Sequence, residues 1–125
     1  MDIIPAVGDM SYETMFRESS LMVTDFSGIQ FDFAYMRKPL VYLHHKDIPQ
    51  HYEEGTFFYD TMAFGEIAHD NDELIDLLCE YMASGCKMKE EYVRRADDFF
   101  YYNDHNNCKR IYDTLCTLKQ LGIPC

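Results

Sequence analysis

The stretch that most constrains the fold runs from Leu21 to Ala34 and joins a strand pattern to a helix pattern. It opens with the apolar run Leu21-Met22-Val23, which is short and has the composition of a buried strand. It breaks at Asp25-Phe26-Ser27-Gly28 and then resumes with apolar residues at helical spacing. Ser27, followed three positions later by Gln30, matches a capping box. The sequence therefore predicts a strand, a tight turn and a helix.

The turn of this unit is the first candidate site. In an open α/β sheet, ligands bind outside the carboxyl ends of the strands, and free amides at a helix start favour an anion such as phosphate. Ser27 offers a hydroxyl there, and Gly28 lets a ligand approach the backbone. The alternative is that Asp25 and Ser27 only cap the helix. On the pattern alone capping is the better choice, because every helix needs a cap and few bind phosphate.

Length and charge bound the class of protein. The 125 residues suffice for one small domain. The formal net charge of −11 argues against nucleic acid as a partner and against direct docking on anionic lipid. No apolar run approaches the roughly 20 residues of a membrane span, and the acidic Asp2 does not fit a secretory signal. The abrupt start at Ile3-Ile4 suggests a segment of a longer protein.

The cysteines indicate a reducing compartment. Their number is odd, and no two have the spacing of a CxxC motif or a zinc finger, so neither a disulfide framework nor a metal site is expected. We expect a cytoplasmic protein without a metal or another cofactor. The five are Cys79, Cys86, Cys108, Cys116 and Cys125.

Strand and helix patterns alternate along the chain, which predicts βαβ units and a parallel sheet with Leu21–Thr24 as its central strand. Arg37 and Lys38 suit the negative end of the helix after Ser27, and Pro39 ends it. The remaining predictions are a helix over 11–19, a strand over 40–43, a long loop over 44–64, a short edge strand over 66–68, and helices from Asp70 or Asn71 to Ser84, from Lys89 to Tyr101 and from Asn106 or Asn107 to Gly122.

Other polar residues have weaker patterns. His44 and His45 follow a strand, where histidine can act as an acid or base, but a pair in a solvated loop is the preferred interpretation. His51 and His69 are interpreted as surface residues. The segment Asn103–Cys108 offers a second helix start, for which a plain N-cap is the default.

Several segments resemble the CDP-glycerol:poly(glycerophosphate) glycerophosphotransferases, which extend wall teichoic acid and related polymers. The segment Thr24–Ala34 is similar to the threonine-aspartate-tyrosine-serine-serine signature of that family. The resemblance covers roughly residues 10 to 115, which is far more specific than one motif. The other segments that carry it are Arg37-Lys38-Pro39-Leu40, Tyr42, Asp47, Tyr52, Gly55–Asp60, Asp72–Ile75 and Asp104–Ile111.

The resemblance implies a GT-B architecture of two Rossmann-like domains, of which this chain is the C-terminal part of the donor-binding one. The fold class expected is α/β, a three-layer Rossmann-like partial domain with a helical C-terminal region. By similarity, Asp25, Ser27 and Gly28 lie at the donor phosphates, with Asp104 and Asn106 near the same cleft. The catalytic histidine motifs of the family are expected upstream, in an N-terminal Rossmann half, so this segment alone is expected to be inactive.

The resemblance also implies partners and a reaction. A CDP-polyol such as CDP-glycerol is the donor, a polyol phosphate or glycan is the acceptor, and CMP leaves when an acceptor hydroxyl attacks the β-phosphorus. The full-length enzyme is expected at the inner face of the plasma membrane. Two departures stand out: Gly28 replaces the second serine of the signature, and His105 replaces a glycine. The alternatives are a GT-B glycosyltransferase that uses a nucleotide sugar and a non-catalytic Rossmann-like interaction module.

Overall fold

The computed structural model describes residues 11–47 and 57–122, which form an α/β fold. Strands and helices alternate through the first half, and helices follow in the second half, as the sequence predicts. The elements in chain order are α1 (Tyr12–Glu18), β1 (Met22–Thr24), α2 (Ile29–Tyr35), β2 (Leu40–Leu43), α3 (Tyr59–Met62), β3 (Glu66–Ala68), α4 (Asn71–Ala83), α5 (Glu90–Phe99) and α6 (Asn107–Gln120).

The described strands form one parallel sheet in the order β1-β2-β3. Met22 pairs with Leu40, and Tyr42 pairs with Ile67, so the carboxyl ends of all three strands lie at one edge of the sheet. The predicted parallel sheet and the edge position of β3 are confirmed. The prediction that the first strand is central is wrong for the described sheet, because β2 pairs with both other strands and is the most buried of them.

Helices cover both faces of this sheet. Successive residues of β2 point to opposite faces, and their side chains are buried on each side. Leu40 and Tyr42 belong to one core cluster with Phe33 of α2, and the same cluster includes residues of α3 and α5. Val41 belongs to a second cluster with Tyr81 of α4. The expected three layers are therefore present in the described residues.

The start of α2 differs from the prediction. The residue at its N-cap is Gly28, which supplies no side-chain hydrogen bond. The Gln30 side chain does not return to the turn as a capping box requires; it is 2% exposed and lies in the core. Its amide Nε2 donates to Tyr59 Oη (3.3 Å), and its Oε1 accepts from the Tyr42 hydroxyl (2.6 Å). The Gln30 side chain therefore stabilises the core beside α2 and does not form the cap at the turn that the capping pattern predicted.

The two basic residues after α2 have different roles. Arg37 donates to the carbonyls of Ala34 and Tyr35, as expected of a cation at a helix C-terminus. The Lys38 ammonium instead donates to three carbonyls at the end of α1, those of Phe16 (2.5 Å), Arg17 (2.9 Å) and Ser19 (2.7 Å). Lys38 therefore ties α1 to the segment before β2, which the sequence prediction did not include.

The predicted loop over 44–64 is only partly a loop. Residues 59–62 form α3, and Tyr59 and Phe64 are buried in the core. Residues 48–56, including the His51 of the sequence analysis, lie outside the described part. Of the consecutive aromatics Phe57-Phe58-Tyr59, Phe57 and Tyr59 pack in the hydrophobic core, whereas Phe58 is 51% exposed.

The helical second half follows the prediction closely. Asp70 caps α4 by accepting from the Glu73 amide (2.9 Å). Helix α5 begins after Lys89, and α6 begins after Asn106. In α6 no residue is buried, whereas α4 and α5 each bury at least one tyrosine. None of the helices in the described ranges is long and apolar enough to cross a bilayer.

Candidate site at the carboxyl ends of the strands

Three polar residues meet at the edge of the sheet where the strands end. Asp25 follows β1, His44 follows β2 and His69 follows β3. The amide of His44 donates to the Ala68 carbonyl (2.9 Å), which continues the β2–β3 pairing by one residue. His69 is exposed, as predicted, and pairs with Glu73 (3.3 Å). Because the strands are parallel, this edge is where the fold class places ligands.

The turn after β1 is closed by its own aspartate. Asp25 Oδ1 accepts from the Ser27 amide (3.0 Å), an arrangement that replaces the predicted serine cap. The Gln30 amide donates to the Ser27 carbonyl (3.4 Å), and the Phe31 amide donates to that of Gly28 (3.2 Å). Among the described residues, neither the Gly28 amide nor the Ile29 amide donates to an acceptor.

A shallow cleft of about 370 Å³ lies beside this turn. Asp25 and Ser27 line it, but none of the described residues that line it carries a positive charge. An added Cβ on Gly28 would meet no atom of the described residues within 4 Å, so the glycine faces open space. The turn thus offers backbone donors and room for a ligand, but a carboxylate and no cation. The lining residues are Val23, Thr24, Asp25, Ser27, Ile29 and Leu43.

His44 is half-buried among aromatic rings, and the interpretation of it as a solvated loop residue is wrong. Its ring stacks on Phe26 with centroids 4.1 Å apart and planes inclined by 16°. It meets Tyr59 edge-to-face at 4.6 Å and Tyr42 at 5.8 Å. We call Phe26, Tyr42, His44 and Tyr59 the aromatic cluster. Its only sequence signal is the position of His44 directly after a strand, and that position does not reveal the stack.

The surroundings of His44 favour its neutral form. Burial lowers the pKa of the imidazole below its ordinary value, and the nearby His69 lowers it further, while Asp25 acts in the opposite direction. Among the described residues, none forms a hydrogen bond to His44 Nε2, which is fully buried.

The second predicted pair, Asp104 and Asn106, lies at the start of α6. Asp104 Oδ1 accepts from the Asn106 amide (2.8 Å), and the carboxylate binds the Arg110 guanidinium at 2.9 and 3.1 Å. The hydrogen bonds from Arg110 and the Asn106 amide lower the pKa of Asp104 to about 2. The guanidinium also lies 3.8 Å from the centroid of the Tyr102 ring. Arg110 is a residue that the sequence analysis did not single out.

The predicted residues form two groups that lie beside different clefts of the described residues. Asp25 and Ser27 line the cleft at the β1–α2 turn, and Asn107 and Arg110, at the start of α6, line a cleft of about 660 Å³ that shares no lining residue with it. Asp25, Ser27 and Gly28 are neighbours, as are Asp104 and Asn106. The contact of either group with a donor stays a prediction.

The possible metal ligands and the cysteines form no metal site and no disulfide among the described residues. In residues 11–47 and 57–122, no three His, Cys, Asp or Glu side chains are grouped so that they could hold a metal ion. Cys79, Cys86, Cys108 and Cys116 are free thiols.

Comparisons with known proteins identify the family. The sequence model of the CDP-Glycerol:Poly(glycerophosphate) glycerophosphotransferase family matches residues 1–117. The chain is 37% identical over 108 residues to the Minor teichoic acid biosynthesis protein GgaB of Bacillus subtilis (strain 168), an alignment that covers 86% of this chain and 12% of that protein. No solved structure matches. The resemblance seen in the signature segment is thereby confirmed: the chain belongs to the CDP-glycerol:poly(glycerophosphate) glycerophosphotransferase family.

Proposed function

We propose that this chain is the donor-binding part of a glycerophosphotransferase that moves glycerol phosphate, or a related polyol phosphate, from a CDP-activated donor to a teichoic acid-like or surface polysaccharide acceptor. The observation that carries the proposal is the family match over residues 1–117, within which the signature segment falls at the carboxyl end of β1. The name of the GgaB relative, a teichoic acid biosynthesis protein, supports the same class of acceptor.

In this proposal the β1–α2 turn binds the diphosphate of the donor. The amides of Gly28 and Ile29 and the Ser27 hydroxyl donate to phosphoryl oxygens, and Asp25 fixes the turn by accepting from the Ser27 amide. The acceptor hydroxyl attacks the β-phosphorus, its proton passes to a base, and CMP leaves with the bond electrons. The base, and cations that offset the phosphate charge, come from the rest of the protein, since this chain spans 12% of its relative.

The GT-B architecture and the site of action belong to the same proposal. A second Rossmann-like half closes the donor cleft over the carboxyl ends of β1 and β2, and the complete enzyme acts at the inner face of the plasma membrane. The parallel sheet of the described residues, with helices on both of its faces, supports this assignment.

One observation favours a second function, a non-catalytic interaction module. Each described residue that lines the cleft at the β1–α2 turn is apolar, neutral or acidic. A site that has lost its donor would tolerate Asp25 without a cation nearby, whereas a phosphate site needs a compensating positive charge.

The test uses the complete natural protein that contains this chain. Release of CMP from CDP-glycerol in the presence of a polyol phosphate acceptor is compared with activity on CDP-ribitol and on UDP-sugars. We expect CMP release, and we expect Ser27→Ala to raise the KM for the donor roughly 10- to 150-fold, because a hydrogen bond to a charged phosphate is worth roughly 1.5–3 kcal/mol. Gly28→Val should raise it further by filling the open space at the turn.

The matched controls are Ser20→Ala and Ser20→Val, since Ser20 is an exposed residue just before β1. Both should leave the KM unchanged. Turnover of a UDP-sugar alone would assign the protein to the glycosyltransferases, and no turnover or calorimetric binding with any of these donors would assign it to the interaction modules. An unchanged KM in both turn variants would remove Asp25, Ser27 and Gly28 from the donor site.

A further inference from the structure

The β1–α2 turn contacts the aromatic cluster through Phe26. Phe26, the residue between Asp25 and Ser27, lies flat on the His44 ring with centroids 4.1 Å apart and meets Tyr59 edge-to-face at 5.7 Å. His44 is itself fixed, because its amide bonds the Ala68 carbonyl and its ring packs against Tyr59. The His44 ring thus joins the carboxyl end of β2 to the turn after β1.

The charge state of this ring matters for the stack. In the neutral imidazole Nε2 is a buried polar atom without a partner in the described residues, whereas a charged ring would bury a charge together with an N–H group that has no acceptor there, which costs more. His69 opposes the charge, whereas Asp25 and the face of Phe26 favour it. Among the described residues, the phenols of Tyr42 and Tyr59 also face the ring. Burial is the largest of these effects and it favours the neutral ring.

We propose that His44 is a positioning residue for the donor site: its neutral ring holds the Asp25–Gly28 turn through the stack on Phe26, and protonation of the ring releases the turn. This inference rests on the proposed function of the turn. His44 itself does not touch the donor, so it acts on donor affinity and not on the chemical step.

The sign of the pH effect follows from the direction of the pKa shift. The pKa of His44 is lowered in the folded protein, so the stabilisation of the stack is complete above the ordinary pKa of histidine, near 6.5. It is lost as the pH falls through the lowered value. Donor affinity should therefore be constant from about pH 7 to 8 and should weaken towards pH 5.

The first experiment measures KM and kcat for CDP-glycerol between pH 5 and 8 in the complete protein. In the wild type the KM should rise about tenfold on the acid side, with kcat changing less than about twofold. His44→Phe keeps an aromatic stack but cannot be protonated, so its KM should stay low and flat over this range. His44→Ala should show the raised KM at every pH.

The matched controls are His45→Phe and His45→Ala, since His45 is the neighbouring histidine and pairs with Asp47 (3.3 Å) outside the aromatic cluster. Both should keep the wild-type pH profile. The inference is overturned if His44→Phe retains the acid rise in KM, or if His44→Ala binds the donor as the wild type does, even when transfer of glycerol phosphate is observed.

A second measurement separates this inference from the proposed function. In the complete protein labelled with ¹⁵N-serine and ¹⁵N-glycine, the amide signals of Ser27 and Gly28 should shift with pH at the midpoint of the His44 ring signal, and this shift should disappear in His44→Phe. Coupled signals without any donor turnover would mean that the proposed function fails and the coupling stands. Signals that ignore His44 would overturn the inference, whatever the activity.

Discussion

The turn after β1 and the turn before α6 are built in the same way but lead into opposite surroundings. In each, an aspartate Oδ1 accepts from the amide two residues later: Asp25 from Ser27 at 3.0 Å, and Asp104 from Asn106 at 2.8 Å. Each also places a helix start after the turn. A pattern search based on local sequence would therefore rank the two alike.

What differs is the helix that follows. The helix α2 buries Gln30, Phe33 and Ala34 against the sheet, whereas α6 buries no residue. The carboxylate of Asp104 binds Arg110, while in the described residues no ion pair involves Asp25. Local chemistry thus makes both turns, but only the first is fixed by a packed core, and it is the one at the edge of the sheet where ligands bind.

The largest expected effect tests whether the core holds the first turn and not the second. Phe33→Ala removes a ring that is 1% exposed and should lower the free energy of unfolding by about 3–5 kcal/mol. Leu115→Ala removes a side chain of α6 from a residue that is 46% exposed and should cost less than about 1 kcal/mol. Urea unfolding followed by circular dichroism measures both.

If Phe33→Ala does not fold, Phe33→Leu replaces it in the comparison. This variant should remain folded, with a free energy of unfolding lowered by about 1–2 kcal/mol. Equal losses for the Phe33 and Leu115 variants would contradict the comparison, because they would mean that α6 is as well packed as α2.

The second effect tests the buried amide of α2 against an exposed amide of α6. Gln30→Ala removes the acceptor of the Tyr42 hydroxyl and a donor to Tyr59, so it should cost about 2–3 kcal/mol. Gln120→Ala, at the exposed end of α6, should change the free energy of unfolding by less than about 0.5 kcal/mol. The same urea experiment compares them. If Gln30→Ala leaves the free energy of unfolding unchanged, the hydrogen-bond network of Gln30 does not contribute to stability.

The smallest effect concerns the charge at the second turn. The pKa of Asp104 is lowered to about 2, so its pairing with Arg110 stabilises the start of α6 above the ordinary aspartate pKa, near 4. This stabilisation is lost as the pH falls from about 4 to about 2. The carboxyl carbon signal of Asp104, followed by NMR, should titrate near 2 in the wild type. In Arg110→Gln it should move up towards the ordinary value.

A matched change just after α2 provides the control. Arg37→Gln removes the ion pair with Asp97 (2.6 Å) and should leave the titration of Asp104 unchanged. An Asp104 signal that ignores the loss of Arg110 would show that the turn before α6 is held by the Asn106 amide alone.

Much of the fold was predictable because the signals for it are local. The apolar run before Asp25, the caps Ser11 and Asp70 and the break at Pro39 gave the elements to within a few residues. Parallel pairing followed from the alternation of strands and helices. The match to the family followed from segments that keep their order over most of the chain.

The errors fall where long-range contacts compete with local patterns. Gln30 has the spacing of a capping box, but two buried hydroxyls from β2 and α3 bind it instead. The neighbours of His44 in the sequence are polar, which is typical of a loop, yet in the structure Phe26 stacks on its ring. These partners are 12 to 29 residues away for Gln30, so no local window contains them.

The order of residues in this chain was enough to establish an α/β fold, its family and the position of the turn between the first strand and its helix, because caps, strand patterns and motifs act between near neighbours. The arrangement of side chains around that turn required the packed molecule. Gln30 is buried with α2 and hydrogen-bonds Tyr42 and Tyr59, and Phe26 stacks on His44. These partners are distant in sequence, and a buried polar group must find its hydrogen bonds among the residues that the fold places beside it.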